Sequence, residues 1–212
     1  MVNNLDYIKF RLKEVFDLNN KDLFFHVLIL QRKKEVDGIN KNSNVIKSYA
    51  VRNLEYLENK LNSEIISICD SQKARAMINL NPKSFKRVSH SMLRRLSEYI
   101  ESNFYEGAIT KLFDSCASSS SIDKELGIKK YWLVDIDCKN IEVFRKVQSI
   151  VNLCEPIEPN LQKVKGFTNS KNGYHIYTIP FNLKTFEDYK VNSKDLEQVE
   201  VKKDCLTNLY IP

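Results

Sequence analysis

Glycine and proline are scarce in this chain of 212 residues, with five of each, which argues against disorder and against a many-turned all-β protein. No apolar run approaches the ~20 residues of a membrane span. The opening MVNNLDYIKF has no basic-then-apolar leader, so a cytoplasmic protein is expected. The five cysteines (Cys69, Cys116, Cys138, Cys154, Cys205) are odd in number and form no CxxC pair, and the three histidines lie far apart. That pattern excludes a zinc ribbon and a disulfide framework. A glycine-rich phosphate loop and a serine nucleophile elbow are also missing, which removes the commonest mononucleotide-binding and hydrolase signatures.

Apolar residues are 42% of the chain, including 11 Phe and 10 Tyr, enough for a sizeable core in one domain, or one core with a small appendage. The formal charge of +6 suits a polyanionic partner. Helical spacing is expected over residues 1–20, from Val45 to Leu61, from Pro82 to Ile100, over Tyr105–Cys116 and over Asn140–Cys154. Strands are expected at Phe24–Leu30, Glu64–Cys69, Ala74–Leu80, Tyr131–Asp137, Lys163–Thr168, Tyr174–Ile179, Val199–Val201 and Leu206–Ile211, with a hairpin joining the second and third. Phe186–Tyr189 and Ser193–Gln198 read as short helices, Val36–Ser43 as a loop, and the serine tract after Cys116 as a linker. The fold class is α+β, a mixed β-sheet flanked by helices. Residues 1–125 form an N-terminal part, separate or packed on the same sheet, and residues 126–212 carry the chemistry.

Two short stretches carry that chemistry. In the strand WLVDID, alternate residues share a face, so Asp135 and Asp137 project together with Leu133, while Trp132, Val134 and Ile136 face away. Neighbouring carboxylates repel, and a fold accepts them readily where a cation sits between; oxygen-only ligands suit Mg²⁺ or Mn²⁺. In SKNGYHIY, Asn172-Gly173 marks a tight turn that sets His175 at the start of a strand, with Lys163, Lys165 and Lys171 nearby. Tyr174 and His175 point to opposite faces, and His175 is the one expected to line a site.

The order hydrophobic-Asp-hydrophobic-Asp, then Ser170 through Asn172-Gly173-Tyr174-His175, resembles the catalytic core of the archaeo-eukaryotic primase (primase-polymerase) superfamily over about residues 130–212. The resemblance implies an RRM-like core in which Asp135 and Asp137 hold Mg²⁺ or Mn²⁺. It implies that His175, with Ser170, Lys171, Asn172 and Lys165, contacts the phosphates of a nucleoside triphosphate. A third acid completes the metal site in that family. Asp204 is the candidate, although Lys203 stands before it where the pattern has a hydrophobic residue, and Glu200 is the alternative. The Ser-to-His spacing is also longer than in the family. Two ions ~3.5–4 Å apart would then clamp the attacking and leaving oxygens. The order INLNPKSFK, WLVDID, NGYHI is also similar to that of phage-encoded proteins, which implies the host cytoplasm as its compartment.

A third feature is basic. Arg75, and Lys83, Lys86 and Arg87 sharing one helical face, suit a phosphate backbone, or else a solvated helix face. Asn79 and Asn81 flank the same junction, to line the site or to make turns. Three functions follow: a nucleotidyltransferase acting on nucleotides and nucleic acid, a nuclease with the same acidic strand, or a non-catalytic binder of nucleic acid or of a host or phage protein. A binder of the RRM type would expose aromatic residues on its sheet.

Overall fold

A computed structural model describes residues 1–36, 42–104, 109–120, 127–157, 161–191, 193–204 and 206–212. Along the chain the strands are β1 Val2–Asn3, β2 Leu23–Arg32, β3 Ser43–Val51, β4 Arg75–Asn79, β5 Lys83–Ser84, β6 Trp132–Ile136, β7 Val164–Asn169, β8 Tyr174–Thr178, β9 Val199–Lys202 and β10 Leu206–Ile211. The helices are α1 Leu5–Phe16, α2 Leu54–Lys60, α3 Ile66–Gln72, α4 Phe85–Glu101, α5 Leu112–Ser119, α6 Ile141–Leu153 and α7 Leu183–Val191. Among the described residues, no helix is long and apolar enough to cross a membrane.

The class is α+β, built on two helix-flanked sheets whose described pairings are all antiparallel. The first sheet runs β1-β10-β4-β2-β3, with β5 paired to the start of β2; the second runs β7-β8-β6-β9. β10 therefore returns the chain to a sheet otherwise made from residues 2–84. Each sheet divides its side chains by strand parity. Val27, Ile29, Ala76, Ile78 and Leu209 of the first sheet bury with α1, the α2–α3 segment and Leu133, Tyr177 and Ile179 of the second. On the far side of the second sheet, Val134, Ile136, Ile176 and Val199 pack with Val143, Phe144, Val147 and Val151 of α6 and Phe186 of α7. A third cluster seats Val88 of α4 and Leu112, Cys116 and Ala117 of α5 on Phe24.

Several local expectations fail for identifiable reasons. Residues 43–51 are a strand. A bulge shifts the β2–β3 register between Ile29 and Leu30, breaking the alternation so that Val45, Ile46, Tyr49 and Ala50 imitate helical spacing. Glu64–Cys69 is helical, so the expected hairpin does not form. The helix begun at Leu54 passes through a π-helical turn at Leu61–Ile65 and ends at Lys73 in the left-handed region, φ 49°. Leu57, Leu61, Ile65 and Cys69 make its continuous buried stripe, and this burial outweighs the β preference of the isoleucines.

The serine tract is helical as far as Ser119, because Cys116 and Ala117 are buried and Ser115 Oγ accepts from Arg95 Nη1 at 2.6 Å. Lys83 lies in β5, one residue ahead of the Ser84 N-cap whose hydroxyl accepts from Arg87 N at 3.1 Å. It shares no helical face with Lys86 and Arg87. Parts of the expected loop at 36–43 and of the helix at 105–116 lie outside the described residues, as does Cys205.

Candidate metal and phosphate site between the two sheets

Side chains of both sheets line one cavity of about 840 Å³, within the ~300–1,000 Å³ typical of ligand pockets. Leu30, Arg75, Met77, Asn79, Leu206 and Asn208 line it from the first sheet; Leu133, Asp135, Asp137, His175, Glu200 and Lys202 line it from the second. Register fixes the second wall. His175 is the direct partner of Asp135 on β8, and Glu200 its direct partner on β9. Such partners stand about 4.5–5.5 Å apart at Cβ, so an imidazole, a carboxylate and a second carboxylate form a row across three strands. Asp137 follows on the same side of β6, its N–H donating to Gln198 O at 3.2 Å.

The row is charge-balanced from within its own sheet. Lys202 Nζ lies 2.6 Å from Asp135 Oδ2 and 3.4 Å from Glu200 Oε2. His175 Nε2 approaches Asp135 Oδ1 at 3.3 Å, but without hydrogen-bond alignment, so Oδ1 is a buried carboxylate oxygen with no donor. Burial pushes the Asp135 carboxyl up, and the facing His175 and Lys202 overcome it, holding the pKa down at about 2.

Behind His175 a hydroxyl network crosses between the sheets. His175 Nδ1 pairs with Thr207 Oγ1 at 2.9 Å. Thr207 Oγ1 lies 3.0 Å from Thr168 Oγ1 and 3.1 Å from the Tyr177 hydroxyl, which also donates to Thr168. The ring is thus held by β10 while it points at β6.

The turn between β7 and β8 closes on itself. Ser170 N donates to Gly173 O, and Gly173 N to Ser170 Oγ, both at 2.9 Å. A Cβ at Gly173 would come within 1.9 Å of Ile136 O and 2.7 Å of Cys138 O. Only glycine lets the turn lie this close to the end of the acidic strand. Ser170, Lys171 and Asn172 all line the cavity as a result.

A second charged cluster belongs to the first wall. Arg75, with its side chain 8% exposed, donates Nη2 to Glu35 Oε1. Lys171 Nζ reaches the same oxygen at 2.8 Å. Burial pushes the Glu35 carboxyl up, but Arg75 and Lys171 bring it below the ordinary value. Arg32 and Lys34 also line the cavity.

The sequence-derived candidates therefore divide. Asp135, Asp137, His175, Ser170, Lys171, Asn172, Arg75 and Asp204 all line one cavity; Lys165, Lys86 and Arg87 do not. Asp204 already accepts three donors: Asn79 Nδ2 at 2.9 Å and Asn81 Nδ2 at 3.2 Å on Oδ1, and Lys83 Nζ at 3.3 Å on Oδ2. Lys83 is fully buried, also donates to Ser120 O at 2.6 Å, and does not present itself to a polyanion. Its burial pulls the ammonium below the ordinary lysine value against the pull of Asp204. Lys163 is likewise buried and donates to Asn152 O at 2.9 Å, away from the cavity. Of the two candidate third acids, Glu200 is the one register sets beside Asp135.

Among the described residues, no three His, Cys, Asp or Glu side chains converge into a ready-made metal site. Asp135, Asp137 and Glu200 nevertheless offer an all-oxygen donor set, and Asp135 contributes an oxygen without a donor. The Lys202 ammonium already lies between two of these carboxylates. This is a place that already holds positive charge.

Sequence reading missed Lys202, Glu35, Asn208 and Thr207. Lys202 was within reach, since it stands two residues from Glu200 in VEVK and shares its face. Glu35 and Asn208 carry no local signal. Aromatic residues of the second sheet are engaged internally: Trp132 packs on Phe181 with Lys203 over its ring, Tyr174 packs on Phe144, and Tyr177 is buried.

No family model, no curated protein and no solved structure matches this chain.

Proposed function

We propose that the cavity binds a nucleoside triphosphate with Mg²⁺ or Mn²⁺, and that the protein is a primase-polymerase-like nucleotidyltransferase acting on nucleic acid. The observation that carries the reading is the single row His175–Asp135–Glu200, fixed by strand register, with Asp137 on the same face. Asp135, Asp137 and Glu200 would hold the metal, which when bound supplies positive charge against the attacking hydroxyl and the leaving pyrophosphate. Asp204, tied to Asn79, Asn81 and Lys83, keeps the β9–β10 connection against β4 and the start of β5. His175 is oriented through Thr207 and turns Nε2 toward the cavity, where it can donate to a phosphate oxygen. Lys171 and the Ser170–Gly173 turn stand beside it to neutralise and position the same phosphates. The closed turn and the buried network behind His175 hold these groups in place before substrate arrives, which is what electrostatic catalysis requires.

The engaged state of Trp132, Tyr174 and Tyr177 speaks against a base-stacking sheet of the RRM type. One observation favours a different reading, in which a nucleotide or protein binder keeps a vestigial site: Lys202 fills the position between the acids. Calorimetric titration of Mn²⁺ and Mg²⁺, with and without ATP, separates the two. Wild type should bind the metal–nucleotide pair, and Asp135→Asn/Asp137→Asn should lose more than ~100-fold, beyond what changes behind a ligand shell usually cost. Equal binding by both proteins, or by neither, sinks the catalytic reading and leaves the binder. Primer-synthesis and nuclease assays on the same pair then separate transfer from phosphodiester hydrolysis.

A further inference from the structure

The Arg75 side chain is nearly buried, and a buried guanidinium requires an anion. The anion it has comes from the turn after β2, where Glu35 N and Val36 N both donate to Arg32 O, at 2.8 and 3.2 Å. One oxygen of that carboxylate, Oε1, receives both Arg75 and Lys171. Lys171 belongs to the other sheet, on the turn that closes at Gly173. Glu35 thus bridges Arg75 of the first sheet and Lys171 of the second sheet's turn. Arg32 follows Leu30 on the same face of β2, and Leu30 is the direct partner of Arg75; Arg32 and Lys34 also line the cavity. Two cationic side chains, Arg75 and Lys171, thus share one carboxylate oxygen.

From this arrangement we infer that Arg75 and Lys171 form a polyphosphate-binding position which the Glu35 carboxylate occupies in the free protein, so that Glu35 competes with incoming phosphate. A phosphate chain offers each cation its own oxygen, where Glu35 makes both share one, and a guanidinium and an ammonium suit such a chain as a fork and a point charge. Binding then proceeds by exchange: the phosphate takes Arg75 and Lys171, and Glu35 turns out to water, where an ionised carboxylate is at no disadvantage. Apparent affinity is lowered by the fraction of molecules in which Glu35 holds the position. The inference deepens the nucleotide reading by identifying its phosphate contacts, yet it needs no metal and none of the acidic row.

The test is calorimetry with inorganic tripolyphosphate in EDTA at neutral pH, on wild type, Glu35→Gln, Glu35→Asp and Lys171→Gln. Glu35→Gln should bind about tenfold tighter than wild type. Glu35→Asp, which keeps the charge on a shorter arm and protects against a misfolded glutamine variant, should also tighten binding. Lys171→Gln, on an exposed side chain, should weaken it several-fold. Unchanged or weaker binding by both Glu35 variants overturns the proposal and leaves Glu35 a structural partner of Arg75. If both tighten tripolyphosphate while Asp135→Asn/Asp137→Asn leaves manganese–ATP binding untouched, the polyphosphate position stands and only the metal-site reading falls.

Discussion

The two walls of the cavity neutralise their buried charge in opposite ways. On the second sheet, Asp135 is balanced by Lys202 and His175, both carried by strands paired directly to its own. On the first sheet, Arg75 is balanced by Glu35, which comes from a turn beyond the end of β2. The second wall has its donors and acceptors set by strand register before any ligand arrives. The first borrows its counter-ion from a turn outside the sheet. Any cation entering the acidic row would have to displace the Lys202 ammonium, and any anion entering beside Arg75 and Lys171 would have to displace the Glu35 carboxylate.

The strongest way to break this comparison is to loosen the wall that register holds. Gly173→Ala forces a methyl group into Ile136 O and should cost roughly 3 kcal/mol, in the upper range for overpacking, read from urea denaturation. A loss near zero would mean that the turn is not locked to the acidic strand. Next in size is acid. Asp135 titrates at about 2 in the folded protein against an ordinary value near 3.8, so between these values the unfolded chain binds more protons. Its ionisation therefore contributes roughly 2 kcal/mol at neutral pH, present in full above pH ~4 and lost as pH falls through 2. Asp135→Asn should flatten that part of a stability–pH curve, and an unchanged slope would contradict the assignment.

Lys202→Met should cost less, about 1 kcal/mol, because that lysine is partly exposed and shares its charge between two acids. Manganese should then raise the melting temperature of the variant more than that of wild type; an equal rise would show that Lys202 does not hold the cation's place. The smallest effect belongs to the first wall. Asn208, 2% exposed, has an amide oxygen with no donor, so Asn208→Leu should stay within about 1 kcal/mol of wild type. A large loss in thermal denaturation would show that this amide is tied into the fold after all.

How far the site was legible follows the same division. Asp135, Asp137 and His175 were readable because strand parity is a local rule, and one residue pair and one turn suffice to apply it. The helix Phe85–Glu101 and the strands around the Ser170–Gly173 turn were legible for the same reason. The place of Glu200 beside Asp135 was not, because only pairing of β9 with β6 sets it there. Glu35 and Asn208 were invisible because their meaning arises from contacts across at least 40 residues of chain with Arg75 and Lys171, or from a lack of contact. β3 and α3 were misread where a bulge and a buried stripe overrode local preference.

One consequence of the strand order concerns how the molecule comes into being. β10 lies between β1 and β4, so the first sheet stays open along both inner edges until the chain has been made through Ile211. Pairing across that distance in sequence is slow, and unpaired edges invite association with other chains. The Thr207 hydroxyl that orients His175 arrives with the same strand. A nascent chain ending before β10 thus lacks both its closing strand and the brace for its imidazole, so the placement of His175 is complete only when the sheet is closed.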